Sequence, residues 1–241
     1  MMDLECLVCS EKIEAIGCGL TETEVGLLRD ITIAVQYKPK EVLFHEADTQ
    51  EYYYQLTEGV VGVYNILPSG RRVILEILFE GDFLGPFGKG VYPYSSVALT
   101  KATLCRFPKK QMDNLIKISP DLKDKLNMFQ ENALNKARTH LLGMAHKSPL
   151  ERLSSFLLLL FNNLYKATNS ENSFEIPMGR QEMADYLSLT SETVSRAFTE
   201  LSDKQIITLD TPSHITIRQI DQLYAMVCGG PSLEDCPHQF G

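Results

Sequence analysis

Six of the 241 residues are cysteines, and their spacing is uneven. Cys6, Cys9 and Cys18 give C-x2-C-x8-C near the N-terminus, Cys105 stands alone in Thr103-Leu104-Cys105-Arg106-Phe107-Pro108, and Cys228 and Cys236 fall near the C-terminus. The opening residues, Met1-Met2-Asp3-Leu4-Glu5-Cys6, carry neither a basic stretch nor the apolar run of a secretory signal. A reducing, cytoplasmic location is therefore expected, in which thiols stay free, bind metal or do redox chemistry rather than form structural disulfides. Four thiolates, from Cys6, Cys9, Cys18 and Cys105, are the donor set that a [4Fe-4S] cluster requires. The Cys6-x-x-Cys9 pair alone also suits zinc or a thiol switch, and Cys105 in an apolar run also suits a plain core position. His238 lies beside Cys236 in a Gly-Gly-Pro-containing tail, without the further ligands that a metal site needs.

A second set of residues has chemistry of another kind. Met178 to Ile207 divides into a helix from Gly179 to Leu187, a tight turn Ser188-Leu189-Thr190 and a helix from Ser191 to Lys204, the spacing of a helix-turn-helix. Ala184 is expected where the helices cross, Leu189 as a plug in the turn, and Val194, Phe198 and Leu201 on the inner face. Thr190 caps the second helix and leaves Ser191, Glu192, Ser195 and Arg196 on its outer, N-terminal face, where such helices enter a major groove. Arg196 can donate two bonds to guanine O6 and N7, Glu192 can accept from cytosine N4, and Ser195 can do either. Arg180, which opens the first helix, joins Thr190, Ser191, Glu192, Ser195 and Arg196 in the expected DNA-binding set. An ordinary helical hairpin with solvated charges is the alternative, and Glu182, Asp185, Glu200 and Asp203 lend it some weight. With 23 basic against 31 acidic residues the net charge is −8, so a DNA contact must be local rather than spread over the surface.

These residues need elements to position them. Between about residues 30 and 108 short β-rich runs alternate with glycine and proline turns, including Tyr52 to Leu56, Val60 to Tyr64, Val73 to Leu78 and Ser96 to Leu99. Strands so short and evenly spaced predict an antiparallel barrel, sandwich or jelly roll, with Pro68-Ser69-Gly70 as a hairpin turn. From Met112 to Ala145 the period lengthens to that of one long helix. Leu122, Leu126, Phe129 and Ala133 form one stripe, and Leu134, Ala137, Leu141 and Met144 another. Two apolar stripes on one helix predict a two-chain dimer seam. Ser148-Pro149-Leu150-Glu151 reads as the cap of a new core helix. After the helix-turn-helix, Ile206 to Leu209 and His214 to Ile217 read as a β-hairpin wing. The longest purely apolar run, Phe156 to Phe161, falls far short of the roughly 20 residues that cross a bilayer, so no membrane span is expected.

The fold class is thus α+β: an N-terminal antiparallel β-roll of the jelly-roll kind, a long dimerisation helix and a C-terminal winged helix-turn-helix. The expected divisions are a cysteine-bearing segment at 1–20, the roll at 21–111, the dimerisation helix at 112–147, the DNA-binding domain at 148–227 and a tail at 228–241. That order resembles the bacterial CRP/FNR transcription regulators over residues 20 to 227. The segment from Arg180 to Arg196, RQEMADYLSLTSETVSR, is similar to their recognition signature, with the Glu-x-x-Ser-Arg of the FNR and FixK branches at Glu192, Ser195 and Arg196. Glu151-Arg152-Leu153-Ser154-Ser155-Phe156-Leu157 is similar to the start of their DNA-binding domain.

The resemblance implies a homodimer that reads an inverted repeat of TTGAT-like half-sites and touches RNA polymerase. It also implies an FNR-like oxygen sensor, with Cys6, Cys9, Cys18 and Cys105 holding the [4Fe-4S] cluster. The Cys9 to Cys18 interval departs from the enteric pattern and is closer to that of α-proteobacterial members. Cyclic nucleotide binding is not expected. Members that bind one carry Gly-Glu and then Arg-Ser, where this chain has Gly85-Pro86 and Pro93-Tyr94-Ser95, with no arginine between Arg72 and Arg106. A FixK-like regulator without a cluster, one with haem, nitric oxide or an organic effector as its input, and a thiol switch stay open. A cupin-type enzyme does not, because residues 20 to 120 hold a single histidine, His45.

Overall fold

The computed structural model describes residues 15–85, 90–164 and 172–228. The chain divides into two compact units, residues 1–133 and 134–241.

The first unit is a β-roll of two four-stranded antiparallel sheets. Strands β1 (Ile33–Tyr37), β8 (Ala102–Pro108), β3 (Tyr52–Glu58) and β6 (Phe83–Leu84) lie side by side in one sheet. The second sheet runs β2 (Val42–Phe44), β7 (Ser95–Ala98), β4 (Val61–Ile66) and β5 (Arg72–Leu78). The β4–β5 hairpin closes around Leu67 to Arg71, with Gly70 at positive φ, as the Pro68-Ser69-Gly70 turn predicts. At the β3–β4 turn, Gly59 sits at φ +92, and a Cβ there would lie 2.3 Å from the Lys101 carbonyl oxygen, so only glycine fits.

Alternation along β8 sorts its side chains between two cores. Ala102 and Leu104 point into the roll with Phe44, Tyr54, Leu56, Val61, Val63 and Tyr92. Cys105 and Phe107 point the other way, into a layer with Ile16, Leu28, Tyr53, Phe83, Met112, Leu122 and Leu126. That outer layer is covered by α1 (Glu22–Ile31), α2 (Lys109–Ile118) and the first turns of α3 (Pro120–His146). Inside the roll, aromatic rings fill the space: Phe44 stacks on Tyr92 at 3.7 Å between centroids, and the Tyr92 hydroxyl donates to the Tyr52 carbonyl at 2.8 Å.

One expectation is corrected here. The single helix from Met112 to Ala145 is two helices, broken at Ser119. A residue before proline is driven out of the helical region, and Ser119 accordingly sits at φ −120, ψ 102. Its hydroxyl then accepts from the Leu122 N–H at 3.0 Å and restarts the helix, with Pro120 in the first turn.

The second unit contains the rest of α3, α4 (Pro149–Leu164), α5 (Arg180–Leu187), α6 (Ser191–Asp203) and α7 (Ile220–Cys228). Ser148 and Glu151 form the reciprocal cap read from the sequence, with the Ser148 N–H donating to Glu151 Oε2 at 2.7 Å. The wing is a three-stranded sheet, β10 (Ile207–Leu209), β11 (His214–Ile217) and β9 (Ser173–Glu175), rather than a two-stranded hairpin. No described helix is long and apolar enough to cross a membrane.

Candidate nucleic-acid interface

Helices α5 and α6 are joined by three residues whose conformations set the crossing. Ser188 takes the left-handed conformation at φ 53, ψ 44 and ends α5. The Leu189 N–H then donates to the Ala184 carbonyl at 3.0 Å and locks the turn, with its side chain half-buried. Thr190 is extended, and its hydroxyl accepts from the Thr193 N–H at 3.2 Å, capping α6. Val194, Phe198 and Leu201 are fully buried beneath, and Ala184 is buried where the helices meet. Burying three such side chains contributes roughly 1.5–3 kcal/mol each before entropic costs, enough to fix the direction of α6.

The opposite face carries the expected readers. Glu192, Ser195 and Arg196 are exposed, and Ser191 is half-buried at the start of the helix. The Glu192 carboxyl is held below its ordinary range by a backbone N–H, by the Thr190 hydroxyl and by the Arg196 cation. It therefore stays ionised and can only accept hydrogen bonds. The Ser195 hydroxyl donates back to the Ser191 carbonyl at 2.9 Å, leaving its lone pairs outward. Arg180 sits differently from the other members of the set: its guanidinium lies 3.6 Å from the centre of the Phe198 ring, and Nη1 points at the Met183 sulfur at 3.6 Å. The stack anchors this cation at the mouth of the motif.

Two features of this unit were not read from the sequence. Arg152 donates to three backbone carbonyls, Met144 at 2.7 Å, Lys147 at 3.0 Å and Leu187 at 3.2 Å, tying the end of α3 to the end of α5. Beside it the His140 ring stacks on Tyr186 at 4.3 Å, and burial pushes the imidazole pKa below its usual value. The signal for Arg152 was present in its family-like segment, but the fork of carbonyls exists only once the helices have packed. Helix α7 was also missed, although Ile220, Leu223, Tyr224 and Val227 follow helical spacing.

The cysteines are distributed as follows. Cys6, Cys9 and Cys236 lie outside the described residues. Against the expectation of free thiols, Cys105, buried in β8, and Cys228, the last residue of α7 rather than of a tail, are disulfide-bonded, whereas Cys18 is a free thiol, half-buried, in the turn before α1. Ile16, two residues before Cys18, belongs to the same core layer as Cys105, and its N–H donates to Gln55 Oε1 at 3.1 Å. Gln55 pairs directly across from Cys105 between β3 and β8, so the Cys18 segment is tied to the strand neighbouring Cys105. Among the described residues no group of three or more His, Cys, Asp or Glu side chains is placed to hold a metal ion.

Comparison with known proteins places both units. Residues 34–119 match the cyclic nucleotide-binding domain family, and residues 151–226 match the Crp-like helix-turn-helix domain family. The chain is 33% identical over 196 residues to the nitrogen fixation regulation protein FixK of Bradyrhizobium diazoefficiens, covering 81% of this chain and 83% of that protein. It is 34% identical over 175 residues to the transcriptional activatory protein AadR of Rhodopseudomonas palustris, covering 73% of each. Among solved structures, FixK2 from Bradyrhizobium japonicum superposes with a TM-score of 0.76 at 27% identity, over 82% of this chain and 98% of that one.

Proposed function

The chain belongs to the CRP/FNR family of transcription regulators, in its FixK-like branch, and from that premise we propose that it is a cytoplasmic homodimeric activator that reads an inverted-repeat operator with α6. It is a regulator and not an enzyme. The observation that carries the reading is the outward face of α6, where Ser191, Glu192, Ser195 and Arg196 project from a helix whose cap, plug and core all hold it in one orientation. Arg180 and Thr190 flank that face and complete the contact set. The domain divisions at 20, 111, 147 and 227 belong to the same reading, as does a contact with RNA polymerase during activation.

The dimer seam is supported by α3, where Leu134 and Leu141 of the second apolar stripe are 49% and 68% exposed and the neighbouring Leu142 is 62% exposed. Three such side chains on one helix call for a cover. Two α3 helices side by side supply it and set the recognition helices about one DNA turn apart, roughly 34 Å. Leu141→Glu should leave each chain folded but give a monomer by sedimentation, with palindrome binding lost at concentrations that saturate the unmodified protein.

The input side of the proposal is a [4Fe-4S] cluster held by Cys6, Cys9, Cys18 and Cys105, whose loss to oxygen would weaken the dimer. The tie of Ile16 to Gln55 supports it, because it binds the segment of one ligand to the strand beside another. When bound, the cluster supplies an oxygen-labile link between the N-terminal segment and the roll. A cluster-free thiol switch is the second reading, favoured by the FixK likeness and by the disulfide at Cys105. Iron and acid-labile sulfide measured in protein purified without oxygen decide between these inputs. Close to four of each per chain, lost with Cys105→Ser together with oxygen-dependent DNA binding, is the result expected of the cluster. Absence of both, with binding that responds to thiol reductants, assigns the switch.

A further inference from the structure

Gln181, the second residue of α5, is outside the set of contacts assigned above, yet its side-chain amide is held at both ends. Nε2 donates to Asp185 Oδ1 at 3.1 Å, one turn along α5, and Oε1 accepts from the Ser191 hydroxyl at 2.8 Å, across the turn at the start of α6. A carboxylate can only accept, so Asp185 fixes which end of the amide is nitrogen, and the oxygen is turned toward Ser191. A serine hydroxyl has one proton and two lone pairs. With that proton committed to Gln181, Ser191 faces outward as an acceptor only.

We propose that Gln181 is a specificity-determining positioning residue: by holding the Ser191 proton it makes Ser191 select a base that offers an amino group. This rests on the reading of α6 as the helix that enters the groove. In the major groove only adenine N6 and cytosine N4 are hydrogen-bond donors, whereas thymine O4, guanine O6 and the purine N7 atoms accept. Facing an acceptor, Ser191 has to rotate its proton away from Gln181 and leave Oε1 without its donor, or leave the base edge unpaired. The neighbouring groups follow the same rule, since Ser195 has given its proton to the Ser191 carbonyl and Glu192 is a carboxylate. The face is therefore three acceptors and one donor, Arg196. One hydrogen bond of this kind gives about three- to tenfold discrimination per half-site.

The test uses the full-length chain and a series of palindromic duplexes in which one symmetric base pair at a time is changed in both half-sites. The expected result for the unmodified protein is a preference of about ten- to hundredfold for an amino-bearing base at one position, separate from the position read by Arg196. Gln181→Leu should reduce that preference to under about threefold and leave the Arg196-dependent preference intact. Ser191→Ala should do the same, and combining the two should add nothing. The paired change Gln181→Glu with Asp185→Asn, which keeps the net charge and an acceptor toward Ser191, should restore the preference. Gln181→Leu that keeps the full profile, or that weakens every duplex by one common factor as a phosphate contact would, overturns the proposal. A profile flat at every position in the unmodified protein, including the one assigned to Arg196, overturns the reading of α6 itself, and this inference with it.

Discussion

The recognition helix and the cysteine layer solve different assembly problems. Ser191, Glu192, Ser195 and Arg196 lie within six consecutive residues, and one cap at Thr190 with one buried row beneath is enough to aim them together. Cys18 and Cys105 are 87 residues apart in the chain, and what links their surroundings is a short segment around Ile16 that docks beside the strand pair formed by β3 and β8. The first arrangement survives wherever the local helix pair folds. The second depends on the whole roll and on the segment remaining attached to it.

The largest effect should come from undermining one of these regions and watching the other. Phe198→Ala removes a fully buried ring beneath α6 and should cost about 3–5 kcal/mol, with amide exchange accelerated across residues 134–228. Phe107→Ala is the mirror change, under Cys105, and should loosen the roll instead. Equal loss of protection in both regions with either variant would break the comparison. Next in size, Arg196→Ala should weaken binding to the operator by about 1–3 kcal/mol and relax the preference at one base pair, while leaving weak binding to unrelated DNA unchanged. Anisotropy titrations at a fixed salt concentration measure both.

The smallest effect concerns His140 against Tyr186. Its pKa is lowered in the folded chain, chiefly by burial, so the unfolded chain takes up the proton first as the pH falls. The stability linked to this ring is fully present above the unfolded value of about 6.5 and is lost as the pH falls through it toward the folded value. His140→Gln should therefore flatten the decline in melting temperature between about pH 7 and pH 5. A decline identical to that of the unmodified protein would remove His140 from the account.

The same contrast explains what could be read from residues alone. The helix-turn-helix is legible because every determinant sits within a short window: Ala184, Leu189, Thr190 and the buried row from Val194 to Leu201 each occupy a position that local geometry fixes. The strands of the roll are legible for the same reason, down to the turn at Gly70. The break at Ser119 is legible too, since Ser119-Pro120 stops one helix and starts the next, although the apolar period runs on across it. The carbonyl partners of Arg152 and the two cores served by alternate residues of β8 had no local signal. They arise from pairings such as Gln55 with Cys105 and Leu187 with Arg152, which only tertiary packing creates.

The central claim is that a chain with a net charge of −8 binds DNA through a locally organised face rather than through bulk charge. The most direct test is the affinity of the reduced, full-length protein for a TTGAT-type inverted repeat against a scrambled duplex of equal length and composition, in one buffer at physiological salt. The account predicts a preference of about a thousandfold or more, which falls when Arg196 is replaced by alanine. Affinities for the two duplexes that agree within a few-fold would contradict it.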